Sequence, residues 1–83
     1  DLSYDQIAEN AAQGYGPYLD ALSSFRGCPI NNKDHFQQLI RKNFSYLFVN
    51  PEDNGAAFGQ RLEIVLKHDI ILRNQCSALD ELS

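Results

Sequence analysis

The sequence has no methionine, two cysteines, seven basic side chains and no long apolar run in its 83 residues. Each shortage excludes something. Without a methionine, Asp1 is not an initiator end, so the chain is expected to be a processed product, as a cleaved signal peptide would leave, or an excised piece of a longer protein. The longest apolar stretches, around Ile70 to Leu72, fall far short of the roughly 18 to 20 residues a spanning helix needs, so no membrane span is expected. The basic residues Arg26, Lys33, Arg41, Lys42, Arg61, Lys67 and Arg73 are scattered through a chain of net charge -4. Only Lys33, Arg41 and Lys42 approach a cluster. That falls short of the basic stripe that displaces counterions from phosphates, so nucleic acid is not an expected partner.

Cys28 and Cys76 lie too far apart for a CxxC pair, and a zinc site needs four ligands that His35 and His68 are not spaced to complete. No metal and no cofactor is expected. In an exported protein the two cysteines are expected to form a disulfide, worth about 4 kcal/mol by the loop-closure model. That is comparable with the whole net stability of so small a domain. In a cytosolic protein they would be two buried thiols. With 43% apolar and 22% charged residues the composition is that of a folding chain, since disordered chains combine low hydropathy with high charge. Its length fits one domain, residues 1–83.

The pattern along the chain reads as helical. Ser3 and Gln6 have capping-box spacing. At 100° per residue Tyr4, Ile7, Ala8, Ala11, Ala12, Tyr15, Tyr18, Leu19, Leu22 and Phe25 fall in one arc, the mark of an amphipathic helix. Gly16 and Pro17 interrupt it, giving a kink or two abutting helices with Pro17 at N1. Gly27 closes the segment as a C′ residue. Asn31 or Asn32 is expected to cap the next helix, whose apolar face is Phe36, Leu39, Ile40, Phe44, Leu47 and Phe48. Asn43 falls within that face, and its amide is expected to bond a backbone carbonyl. After a turn at 50–55, Phe58, Leu62, Val65, Leu66, Leu72, Cys76 and Leu79 predict a last helix from about 56 to 81. Asp69 and Arg73 intrude on its face at i,i+4, where each is expected to neutralise the other. The fold class expected is an all-α bundle of three to four helices with one disulfide. The alternative is an α+β domain with a short hairpin within 44–73, because FSYLFV and RLEIVLK also alternate.

No residue set predicts catalysis. There is no GxSxG elbow, Gly14 and Gly16 do not follow a strand, and Glu52 beside Asp53 on a polar turn should both stay solvated. His35 and His68 read as ordinary surface histidines, and an enzyme is not expected. What remains is surface. Asp5, Glu9 and Asp20 fall opposite the apolar arc, and an acidic face suits a basic protein partner. A secreted signalling or ligand-carrying domain is the other class, with Tyr15, Tyr18, Phe36, Phe44 and Phe48 around an apolar cavity. A cytosolic adaptor is a third.

From Gly14 to Cys76 the sequence resembles the small periplasmic immunity proteins that protect bacteria against peptidoglycan-amidase effectors of type VI secretion. The likeness rests on Gly14, Tyr15 and Asp20 in a helix, Cys28 followed by Pro29, an amphipathic helix, a loop with Pro51 and Glu52, and a second cysteine, Cys76. The chain departs from that pattern in lacking further cysteines in the first helix and in continuing past Cys76 as SALDELS. The resemblance implies an exported, periplasmic or secreted inhibitor, often dimeric, that plugs a basic cell-wall hydrolase with a protruding loop. Asn50, Glu52, Asp53 and Asn54 are the candidate loop residues, with Asp5, Glu9 and Asp20 as the acidic face.

Overall fold

A computed structural model describes residues 4–49 and 55–77. The fold is all-α, as expected, and no strand occurs among the described residues. Helices α1 (Tyr4–Gln13), α2 (Pro17–Phe25), α3 (Lys33–Lys42), α4 (Phe44–Leu47) and α5 (Gly55–Lys67) are joined by 3-10 turns at Ile30–Asn32 and Leu72–Asn74. Because α4 and α5 occupy most of 44–67, the hairpin alternative is excluded. The capping residues Ser3 and Gln6 include one, Ser3, that lies outside the described residues.

The predicted interruption at Gly16–Pro17 separates two abutting helices. Gly14 and Gly16 both adopt positive φ, 91° and 140°. Pro17 opens α2 and has no N–H to satisfy, leaving Tyr18 and Leu19 as the next orphan donors. Asn10 of α1 satisfies both. Its Oδ1 accepts from the backbone N–H of Tyr18 at 2.8 Å and of Leu19 at 3.2 Å, so one helix caps the next. A Cβ on Gly16 would overlap the Asn10 carboxamide, which fixes glycine there for space as well as for φ. Ile7, Ala11, Leu19 and Leu22 are buried as the arc requires, whereas Tyr15 and Phe25 are left exposed, correcting the expectation that all ten residues share one buried face.

Gly27 (φ 73°) ends α2 as expected, with Cys28 N–H bonded back to the Ser23 carbonyl at 3.0 Å. Asn32 occupies the cap position of α3, but its side chain makes no capping bond. A 3-10 turn feeds α3 instead, with Asn32 N–H donating to Pro29 O. Asn43 behaves as expected: its Nδ2 donates to Leu39 O at 2.9 Å, and the residue divides α3 from α4.

The expected helix from 56 to 81 is corrected. α5 ends at Lys67, a turn covers 68–71, and Cys76 follows the second 3-10 turn rather than lying mid-helix. The periodicity itself explains the break. Continuing α5 would place Asp69 at the centre of the face shared by Phe58, Leu62, Val65 and Leu66, and burying an unpaired carboxylate is costly. At about 1.5 Å per residue it would also carry Cys76 some 13 Å beyond Lys67, away from Cys28. Leaving the helix gives the Asp69 carboxylate the N–H groups of Ile71 and Leu72 and the His35 ring as partners, while Leu72 and Cys76 still enter the core.

The core is formed by Ile7, Leu19, Phe36, Ile40, Leu47, Leu62, Leu66 and Leu72, with Cys28 and Cys76 at its edge. Tyr4, Phe44, Phe48 and Phe58 form a continuous aromatic cluster, with Phe48 stacked on Phe58 at 5.0 Å between centroids. Cys28 and Cys76 are disulfide-bonded. Beside that link Ser77 N–H donates to Gly27 O at 3.0 Å, so the end of the described chain is tied to the turn after α2.

Candidate functional site

An open groove of about 380 Å³ lies between α3–α4 and the C-terminal half of α5. Leu39, Tyr46, Ile64 and Val65 form its apolar lining. Tyr46 and Ile64 are 43% and 48% exposed, which is high for side chains of this size lining a concavity. The break at Asn43 is what opens the groove's end, because α4 restarts there with Tyr46 turned to the surface rather than packed in the core.

Lys42, Asn43, His68 and Asp69 make the polar rim. Asp69 is fully occupied. Its Oδ2 accepts from Leu72 N–H at 2.9 Å and Ile71 N–H at 3.2 Å, and His35 Nε2 lies 3.0 and 2.9 Å from its two oxygens. A carboxylate only accepts, so His35 carries its proton on Nε2. Burial alone would raise the Asp69 pKa. The Leu72 N–H, the hydrogen bond and charge of His35, and the Ile71 N–H together outweigh it and hold the carboxyl below its ordinary value. The expected Asp69–Arg73 side-chain pair does not form: the carboxylate goes to His35, and only the Arg73 backbone N–H reaches Asp69, through its carbonyl. His35 is likewise corrected from an ordinary surface histidine to a half-buried partner of Asp69. His68 is exposed, as expected, and donates from Nδ1 to Ile64 O at 2.8 Å.

The predicted acidic face divides between two helices. Asp5 and Glu9 are exposed on α1, and neither has an ion-pair partner among the described residues. Asp20 belongs to α2 and is engaged by α3, accepting from Gln37 Nε2 at 3.1 Å with Lys33 at 4.0 Å. The candidate loop residues Asn50, Glu52, Asp53 and Asn54 lie outside the described residues. Of the aromatics proposed for a carrier cavity, Phe36 is in the core, Tyr18 packs against it, Phe44 and Phe48 belong to the aromatic cluster, and Tyr15 is 63% exposed.

Most of the cations are used internally. Arg26 bridges α2 to α5 through Gly59 O and Glu63, and Lys67 pairs with Glu63 at 3.0 Å. Arg61 donates to Leu47 O. Sequence reasoning missed Asn10, the His35–Asp69 pair and the groove. Lys42, Asn43 and Asp69 carried the only sequence signal, as polar residues on or beside predicted apolar faces. Among the described residues no cluster of three metal-ligating side chains forms, and no helix is long and apolar enough to cross a membrane.

These features define a small all-α fold closed by one disulfide, with an acidic first helix and an open apolar groove on another face. The chain belongs to a family described as protein of unknown function (DUF3015), whose profile matches residues 1–76 and therefore includes both cysteines. No curated protein and no solved structure matches it.

Proposed function

We propose that this protein is an exported helical binding module that recognises a basic protein partner through the exposed acids of α1. The observation that carries the reading is the fate of the charges. α1 and α2 hold no cation, Asp20 is engaged by Gln37 and Lys33 of α3, and Asp5 and Glu9 face solvent with no ion-pair partner among the described residues. Placing like charges four residues apart on one helix costs a few tenths of a kcal/mol, and an oppositely charged partner recovers that cost while gaining encounter rate. The disulfide supports export, since such bonds persist in oxidising compartments.

The resemblance to amidase immunity proteins gives the partner its class: a basic cell-wall hydrolase, inhibited by occlusion. The test is peptidoglycan digestion by the hydrolase encoded beside this protein, with and without the purified oxidised chain. Protection is expected, and it should weaken steeply with salt and in the variant Asp5→Lys/Glu9→Lys. Undiminished digestion at stoichiometric excess sinks the hydrolase reading. Protection that ignores both salt and the double variant sinks the acidic face as its carrier.

A further inference from the structure

The groove has a chemistry different from that of α1. Its walls are apolar, and Asp69, the only carboxylate among its described lining residues, has both oxygens occupied by His35 and by two backbone N–H groups. Lys42 is exposed and makes no ion pair among the described residues, and Tyr46 presents a hydroxyl with no hydrogen-bond partner there. Asn43, also on the rim, donates from its side-chain amide to Leu39 O. An uncompensated cation at the edge of an apolar concavity selects for a ligand that joins large apolar groups to a carboxylate.

We propose that the groove between α3–α4 and α5 docks a protein segment that places two or more large apolar side chains on Leu39, Tyr46, Ile64 and Val65 and an Asp or Glu carboxylate on Lys42. Its volume, about 380 Å³, exceeds by more than twofold the roughly 150 Å³ that holds one benzene. Its open side suits an amphipathic segment laid along it rather than an enclosed small molecule. A second copy of this chain does not supply that chemistry from its acidic helix. On α1 the residues beside Asp5 and Glu9 that reach solvent are Gln6, Ala12 and Gln13, and none is a large apolar anchor. The proposed occupant is a partner's segment, chosen for the carboxylate that Lys42 selects, and it meets a different face from the acids of α1. This inference stands or falls independently of the hydrolase reading.

The test is selection of a random twelve-residue peptide display library on the oxidised protein, counter-selected on Ile64→Glu. Ile64 and Lys42 are both exposed, so Ile64→Glu and Lys42→Glu should keep the helical spectrum and the disulfide, which are checked first. Enriched peptides are expected to pair large apolar residues with Asp or Glu. Made synthetically, they should shift the amide resonances of Leu39, Lys42, Tyr46 and Ile64, and should bind Lys42→Glu about tenfold more weakly, with Lys42→Gln intermediate. Four outcomes overturn the proposal: no enrichment over the counter-selection, enrichment of basic sequences, affinity indifferent to Lys42→Glu, or resonance shifts located elsewhere. Self-association that occupies the groove at the concentrations used, or displacement of the peptides by a fatty acid with equal affinity, assigns the groove to another occupant and overturns it as well.

Discussion

Asn10 shows how much of this fold rests on single polar contacts. Replacing it with Ala leaves the N–H groups of Tyr18 and Leu19 without an acceptor, at a cost of about 1 to 3 kcal/mol. Asn10→Asp keeps the acceptor oxygen and adds a charge favourable at a helix N-terminus, so it should lose far less. Urea denaturation of the two variants distinguishes them, and equal losses would contradict a capping role. Gly16→Ala should cost about 2 kcal/mol or more, since it strains the backbone and displaces the same carboxamide. None of this was legible beforehand. Gly16 and Pro17 announce a turn through local chemistry, but the acceptor for that turn comes from eight and nine residues away, and no spacing rule links an asparagine in one helix to the next helix's first donors.

At the scale of elements, helix type and core membership were legible, and boundaries less so. Periodicity correctly placed Phe58, Leu62, Val65, Leu66, Leu72 and Cys76 in the core. It misjudged the path between them, because a helix and a chain that leaves the helix at 68 can bury the same residues. Asp69 decides between the two, by taking His35 and two backbone N–H groups as partners. Its depressed pKa gives a pH signature. A carboxyl whose folded pKa lies below its unfolded value contributes stability above that ordinary value, near 4, and loses the contribution as pH falls through the lower folded one. Asp69→Asn keeps an oxygen for the backbone bonds but removes the charge facing His35. It should lower stability at pH 7 by about 1 kcal/mol and flatten the acid limb of the stability profile, measured by urea unfolding at successive pH values. An acid limb identical to that of the parent would contradict the assignment. The segment 68–77 should also exchange its amide protons faster in this variant, since its charged tie to His35 is lost.

At the scale of the molecule, the disulfide closes the account. It joins the turn after α2 to the end of the described chain, so the segment after α5 is held at Asp69 by His35 and at Cys76 by Cys28. With two cysteines the pairing was readable for an exported chain only, since the sequence left oxidation to the compartment, and the route of the chain between α5 and Cys76 was not readable. The groove was also illegible as a whole: Leu39 and Val65 were predicted as core residues, and only the break at Asn43 and the end of α5 leave that side uncovered. Cys28→Ala/Cys76→Ala should lower the unfolding free energy by about 4 kcal/mol and release the 68–77 segment before the remaining helices melt. The central claim is an oxidised, exported binding module. It is tested most directly by alkylating the protein in intact cells without reductant, fractionating them, and weighing the intact chain. The account predicts that the protein is recovered outside the cytosol, carries no alkyl group and is two hydrogens lighter than its reduced form. A doubly alkylated chain recovered from the cytosol would contradict it.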